Sequence, residues 1–230
     1  ASTAPKPQFA ESWQSFIRET GATRLLIVIG LGTFGFGMAD VLLEPYGGQV
    51  LAMPGTETTK LTAVMAAGGL VGFALASRVL GRGANPLTIA AWGALVGVPA
   101  FAAIIWSAYL ETNTVFVAAI LAVGFGAGLF GHGTLTATMR AAPKEQIGLA
   151  LGAWGAVQAT AAGLGVALGG VMRDVILGLE RTANAGPEAP YIPVFAVEML
   201  FLTLALVALW PLLRQGLRGT ANETLEAGRA

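Results

Sequence analysis

Six apolar runs, each long enough to cross a hydrocarbon core as a helix, divide this chain at approximately residues 25–43, 61–79, 86–106, 114–136, 147–171 and 191–213. A helix needs about 20 residues to traverse the core of a bilayer, and most of the charged residues fall in the short segments between the runs. Composition agrees: of 230 residues, 55% are hydrophobic and 11% charged, where a soluble domain carries about a quarter charged residues. The pattern predicts an all-α integral membrane protein, a bundle of six transmembrane helices, because a helix satisfies its own backbone hydrogen bonds where water cannot.

One string argues superficially for something else. IVIGLGTFGFG places Gly30, Gly32 and Gly35 at the spacing of a dinucleotide-binding turn. A doubly wound nucleotide-binding domain needs amphipathic helices with water-facing sides, and this chain has nowhere to put them. The glycines therefore belong to the first span.

Orientation follows from Lys and Arg. With the N-terminus in the cytoplasm, Lys6, Arg18, Arg24, Arg78, Arg82, Arg140, Lys144, Arg214, Arg218 and Arg229 lie inside, and Lys60, Arg173 and Arg181 outside. The expected organisation is a cytoplasmic linker over residues 1–23, the six-span bundle over 24–213 and a cytoplasmic tail over 214–230, with both termini inside. Phe9, Trp13, Phe16 and Ile17 recur at helical spacing in the linker, which predicts a short interfacial helix. The absence of an initiator Met and the linker-like start favour one half of a twelve-span protein over a complete small one. Zero net charge argues against a nucleic-acid role, and the absence of cysteine excludes disulfides, thiolate metal sites and a Cys nucleophile. The outer loop 172–190 has room for a short surface helix.

Glycine is abundant, 32 residues, mostly within the spans. In lipid, small residues let helix backbones approach closely. Gly148, Gly152, Gly155, Ala159, Ala162, Val166 and Gly169 recur at steps of four and three in the fifth span, so this face is expected to pack tightly on another helix. Gly124, Gly128 and Gly131 repeat the idea in the fourth. Trp92, Trp106, Tyr109, Trp154, Tyr191 and Trp210 read mostly as interface anchors.

Polar residues inside the spans are few. Gly30, Thr33, Gly37, Asp40 and Glu44 share one helix face, which places Asp40 roughly 24 Å from Arg24 at about 1.5 Å per residue and Glu44 at the outer boundary. Pro45 is expected to end the span at Glu44, leaving a carboxylate against the negative end of the helix dipole. The pair could take a proton, bind a cation, or accept hydrogen bonds that fix the turn EPYGGQV. Glu198 is a lone carboxylate on an apolar stretch of the last span, so an acidic face of Asp40, Glu44 and Glu198, with Arg173 nearby, is a candidate functional feature. Gln158 is expected to make an interhelical hydrogen bond. His132, the only histidine, stands between two glycines in LFGHGT: it is either a hydrogen-bonded packing residue or a ligand to the magnesium of a chlorophyll-type ring. No metal held by protein ligands alone is expected.

At FGMADVLLEPYGGQVL the chain closely resembles the PucC/LhaA family of photosynthetic bacteria, a bacteriochlorophyll-delivery branch of the major facilitator superfamily. The resemblance centres on Asp40, Val41, Leu42, Leu43, Glu44, Pro45, Tyr46, Gly47 and Gly48. The rest of the chain is similar to the last six of that family's twelve spans. GFALASRVLGRG resembles the glycine-and-basic loop of superfamily transporters through Arg78, Gly81 and Arg82, without its acidic residue. The resemblance implies a membrane assembly factor for light-harvesting or reaction-centre complexes, handling bacteriochlorophyll or escorting antenna polypeptides, and not an enzyme. It also implies residence in the bacterial inner, intracytoplasmic photosynthetic membrane, with an N-terminal six-helix half, lipid and photosynthetic polypeptides as partners. A proton-coupled transporter half and a resident antenna subunit are the alternatives.

Overall fold

The structure, a computed structural model, describes residues 21–110, 112–179 and 186–227, with side chains as far as Arg214. The interfacial helix expected around Phe9, Trp13, Phe16 and Ile17 lies outside the described residues. The elements in chain order are α1 (Ala22–Gly37), a 3-10 turn (Met38–Val41), α2 (Leu43–Gln49), α3 (Gly55–Leu80), α4 (Pro86–Leu110), α5 (Asn113–Ala141), a second 3-10 turn (Lys144–Gln146), α6 (Ile147–Gly178) and α7 (Ile192–Ala227). Among the described residues, six helical segments are long and apolar enough to cross a membrane, and none of those residues forms a strand. The chain is a multi-pass, all-α membrane protein.

The helices overrun the apolar runs because the hydrogen-bond ladder continues into polar sequence. α6 extends to Gly178 and takes up residues where a separate surface helix was expected, and α7 continues to Ala227. Pro99 and Pro211 sit inside α4 and α7, a placement membrane helices tolerate because neighbouring groups re-satisfy the freed carbonyls.

The bundle is two triplets. α5 packs between α3 and α4, α1 packs between α6 and α7, and contacts of α4 with α7 and of α1 with α5 join them. Glycine makes the first triplet possible. A Cβ on Gly68 or Gly72 would strike the carbonyl oxygens of Leu121 and Phe125, and one on Gly124 or Gly128 those of Met65 and Gly69. The backbones of α3 and α5 thus meet directly, the close approach that small residues permit in lipid.

The fifth span corrects its expectation. Gly148, Gly152 and Gly155 have nothing within 4 Å of an added Cβ, and Ala159 is exposed. The packed face is instead Ala150, Ala153, Ala161, Gly165 and Gly169. The reason is geometric: a strict four-three repeat averages 3.5 residues and drifts about 20° per heptad around a straight helix. Over three heptads it slides from the open side at Gly148 into the packed side at Gly169, whose Cβ would lie 2.9 Å from the Met38 carbonyl oxygen.

Aromatic residues also divide. Trp92, Trp106, Tyr109 and Trp210 are more than half exposed, as interface or lipid-facing residues should be. Tyr191 is not an anchor: it is fully buried, edge-on to Tyr46 with ring centroids 5.3 Å apart. Trp154 is partly buried, its indole Nε1 donating to Thr134 Oγ1 at 3.3 Å.

Candidate functional site

The first span is where the fold departs most from a straight helix. Its α-helical part ends at Gly37, a 3-10 turn carries Met38–Val41, and the motif then starts a new short helix at Leu43. The expectation that Pro45 ends the span is corrected. Pro45 is in the first turn of α2, where backbone N–H groups have no helical partner to lose, and EPYGGQ is helical rather than a turn. The dipole argument reverses with it: Glu44 lies in a first turn, next to the positive end of a helix.

The motif bends the chain across the outer end of the bundle. Leu42, Leu43 and Tyr46 point into the core. The Tyr46 hydroxyl donates to the Ile104 carbonyl at 2.9 Å, and its ring meets Phe116, Tyr191 and Phe195. Burial is the main cause that pushes this hydroxyl up to about 12 from its ordinary 10.0. A Cβ on Gly47 would press on Leu61 and Phe116 at 3.1 and 3.2 Å.

Below the bend, α1, α3, α5 and α6 do not close on one another and leave a cavity of about 320 Å³. Phe36, Met65, Val123 and Phe130 give it apolar walls. Gly37, Gly69, Gly124, Gly128 and Gly131 flatten them, and Thr33, Asp40, Thr62 and Gln158 supply the polar groups. An apolar cavity with a few placed polar groups is the usual form of a small-molecule site. Thr33, Gly37 and Asp40 are three of the five residues expected to share a face of α1. Gly30 packs near Val157, 3.5 Å from an added Cβ. Gln158 lies in the cavity wall.

The acidic face is only partly assembled. Glu44 is exposed and accepts a hydrogen bond from Thr62 Oγ1 at 2.9 Å, which holds it at the start of α3. Asp40 opens into the cavity. Glu198 comes from α7, is fully buried, and neither carboxyl oxygen has a hydrogen-bond partner among the described residues. The last helix packs there against the 3-10 turn Met38–Val41, which carries Asp40. Asp40 and Glu198 are thus brought together while Glu44 turns away.

Arg173 is occupied elsewhere. Its guanidinium donates to Asp174 at 2.7 Å, to Gln49 Oε1 at 2.8 Å and to the Tyr191 hydroxyl at 3.2 Å. Tyr191 in turn donates to Gln49 at 2.7 Å, so one polar cluster ties α2, α6 and the start of α7 together. Sequence reasoning passed over Gln49 and Thr62. Gln49 directly follows the motif's glycine pair, and Thr62 lies one residue into the second apolar run; neither position singles itself out without the fold.

His132 lies outside the cavity lining. It is half-buried on α5, with its ring 4.1 Å from that of Phe73 on α3, and its Nδ1 is buried without a hydrogen-bond partner among the described residues.

Six helices long and apolar enough to cross a membrane, four of them lining a cavity edged by carboxyl, hydroxyl and amide groups, define a polytopic helical membrane protein. The chain matches the family described as PUCC protein over residues 1–217 and belongs to that family. It is 58% identical over 212 residues to Protein PucC of Cereibacter sphaeroides, covering 92% of this chain and 46% of that one. With Protein PucC of Rhodovulum sulfidophilum it shares 63% identity over 187 residues, 81% of this chain and 41% of that one. A more distant relative, the Bacteriochlorophyll synthase 44.5 kDa chain of Rhodobacter capsulatus, is 28% identical over 176 residues, 74% of this chain and 41% of that one. The chain spans about half the length of the curated relatives it matches.

Proposed function

We propose that the chain serves as part of a membrane assembly factor for photosynthetic light-harvesting or reaction-centre complexes, handling bacteriochlorophyll or escorting antenna polypeptides. The observation that carries this reading is the family match over residues 1–217. A relative named for bacteriochlorophyll synthesis lies within the same set, which supports a pigment-related role in particular. In this reading the chain holds and passes on a cargo and is not an enzyme. Its place is the inner, intracytoplasmic photosynthetic membrane with both termini cytoplasmic, and a further six-helix half of the same protein covers its cavity side.

Two features at separate places support a magnesium tetrapyrrole as cargo. Five glycines flatten the cavity walls, and His132, outside that lining, carries a ring nitrogen without a hydrogen-bond partner among the described residues that would bind magnesium once exposed. When bound, such a pigment supplies the light absorption that the finished complex uses; the chain's own task is to hold it and keep water away. The Asp40 and Glu198 carboxyls favour a second reading, one half of a proton-coupled transporter of the major facilitator kind, since intramembrane carboxyls commonly mark ion and substrate paths.

The decisive experiment is gentle purification from photosynthetic membranes followed by a visible and near-infrared spectrum normalised to protein. Bacteriochlorophyll bands in fixed proportion are expected, and a featureless spectrum would sink pigment handling and leave the escort and transporter readings. His132→Phe should remove those bands. Unchanged pigment content in that variant would reduce His132 to a packing residue.

A further inference from the structure

We propose that Glu198 and Asp40 form a proton-binding site at the cavity wall, Glu198 holding the proton and Asp40 exchanging it with the cavity. The first observation is burial: no part of Glu198 is exposed, and both carboxyl oxygens lack hydrogen-bond partners among the described residues. A bare carboxylate in such surroundings is far more costly than the neutral acid. The second is connection: α7 packs on the 3-10 turn that carries Asp40, and Asp40 itself lines the cavity.

The surrounding elements offer Glu198 no cation. α7 contains no other ionisable group between Ile192 and Leu213. α4, packed along it, has no Asp, Glu, Lys, Arg or His from Pro86 to Leu110. From α1 and its 3-10 turn the facing group is Asp40, a like charge. α6 brings Arg173 and Asp174 to this end, but they pair with each other, and Arg173 also with Gln49 and Tyr191. Two neighbouring carboxyls with no cation between them retain one proton more readily than none. Movement of that proton to Asp40 delivers it to the cavity wall, where a bound molecule or water can take it. The site is independent of what the cavity carries.

The test uses the full-length protein in lipid and infrared difference spectra across a pH titration, reading the carbonyl stretch of a protonated carboxylic acid. At neutral pH the wild type should show that band, Glu198→Gln should lose it, and Glu44→Gln should keep it. Asp40→Asn should keep the band but move the pH at which it disappears. Absence of any protonated-acid band in the wild type at neutral pH overturns the proposal without recourse to a variant. A band indifferent to Glu198→Gln, or a titration indifferent to Asp40→Asn, overturns it as well.

Discussion

The contact of α3 with α5 and the N-terminal stretch of α6 are both built from regularly spaced glycines, yet they do opposite things. On α5, a Cβ at Gly124 or Gly128 would collide with main-chain oxygens of α3. On α6, a Cβ at Gly148, Gly152 or Gly155 would meet nothing within 4 Å. Small-residue spacing therefore records that a close approach is permitted, and the rotation of the helix decides whether it is used. Glycine is also a poor helix former compared with alanine, by about 1 kcal/mol in water. Where no helix approaches, that weakness has no compensating contact within this bundle.

The largest effect is expected at Gly124. Adding a methyl group there forces the two backbones apart, and Gly124→Ala should lower stability by about 1–3 kcal/mol, as overpacking of a tight core does. Gly124→Leu should prevent α3 and α5 from meeting at all. Helicity followed through a denaturing-detergent titration measures both. Wild-type stability in Gly124→Leu would show that the α3–α5 contact is not what holds the first triplet together.

The two regions also mark how far the sequence could be read. The six spans were legible because lipid demands length and apolarity, and both are local properties. Of the polar face on α1, Thr33, Gly37 and Asp40 were legible from helical spacing and do line the cavity. The 3-10 turn at Met38–Val41 was not, and without it Glu44 could not be separated from Asp40. Glu198 was visible as an isolated carboxyl, while its approach to Asp40 is a tertiary fact set by α7 packing on α1. The same holds for Tyr191, whose place in the outer aromatic cluster no local pattern marks.

A smaller effect is expected at the bend that separates the cavity from the outer surface. Tyr46→Phe removes one hydrogen bond, and the Ile104 carbonyl keeps a second donor in the Ser107 hydroxyl at 2.6 Å. The cost should therefore be about 1 kcal/mol, the ordinary net worth of such a bond. The pH dependence is more diagnostic. Because the folded hydroxyl titrates at about 12 against an ordinary 10.0, the unfolded chain releases this proton first. The stabilisation is complete below about pH 10 and is lost as pH rises toward 12. Tyr46→Phe should flatten that alkaline decline, and an unchanged slope would mean that Tyr46 is accessible to hydroxide in the folded state.

The smallest change in stability is expected on the open stripe, and its sign carries the information. Gly152→Ala adds a methyl group where no atom lies within 4 Å, so the contact term vanishes and only helix propensity remains. Stability should rise or stay level, by no more than about 1 kcal/mol, where the same exchange at Gly124 is destabilising. Gly152→Leu separates packing within the six spans from contact with something beyond them. If it leaves the bundle as stable as before but abolishes assembly of photosynthetic complexes, the stripe is a surface for another helix, consistent with relatives about twice this length. If it destabilises the bundle itself, α6 is rotated from the position described, and the contrast between the two glycine faces fails.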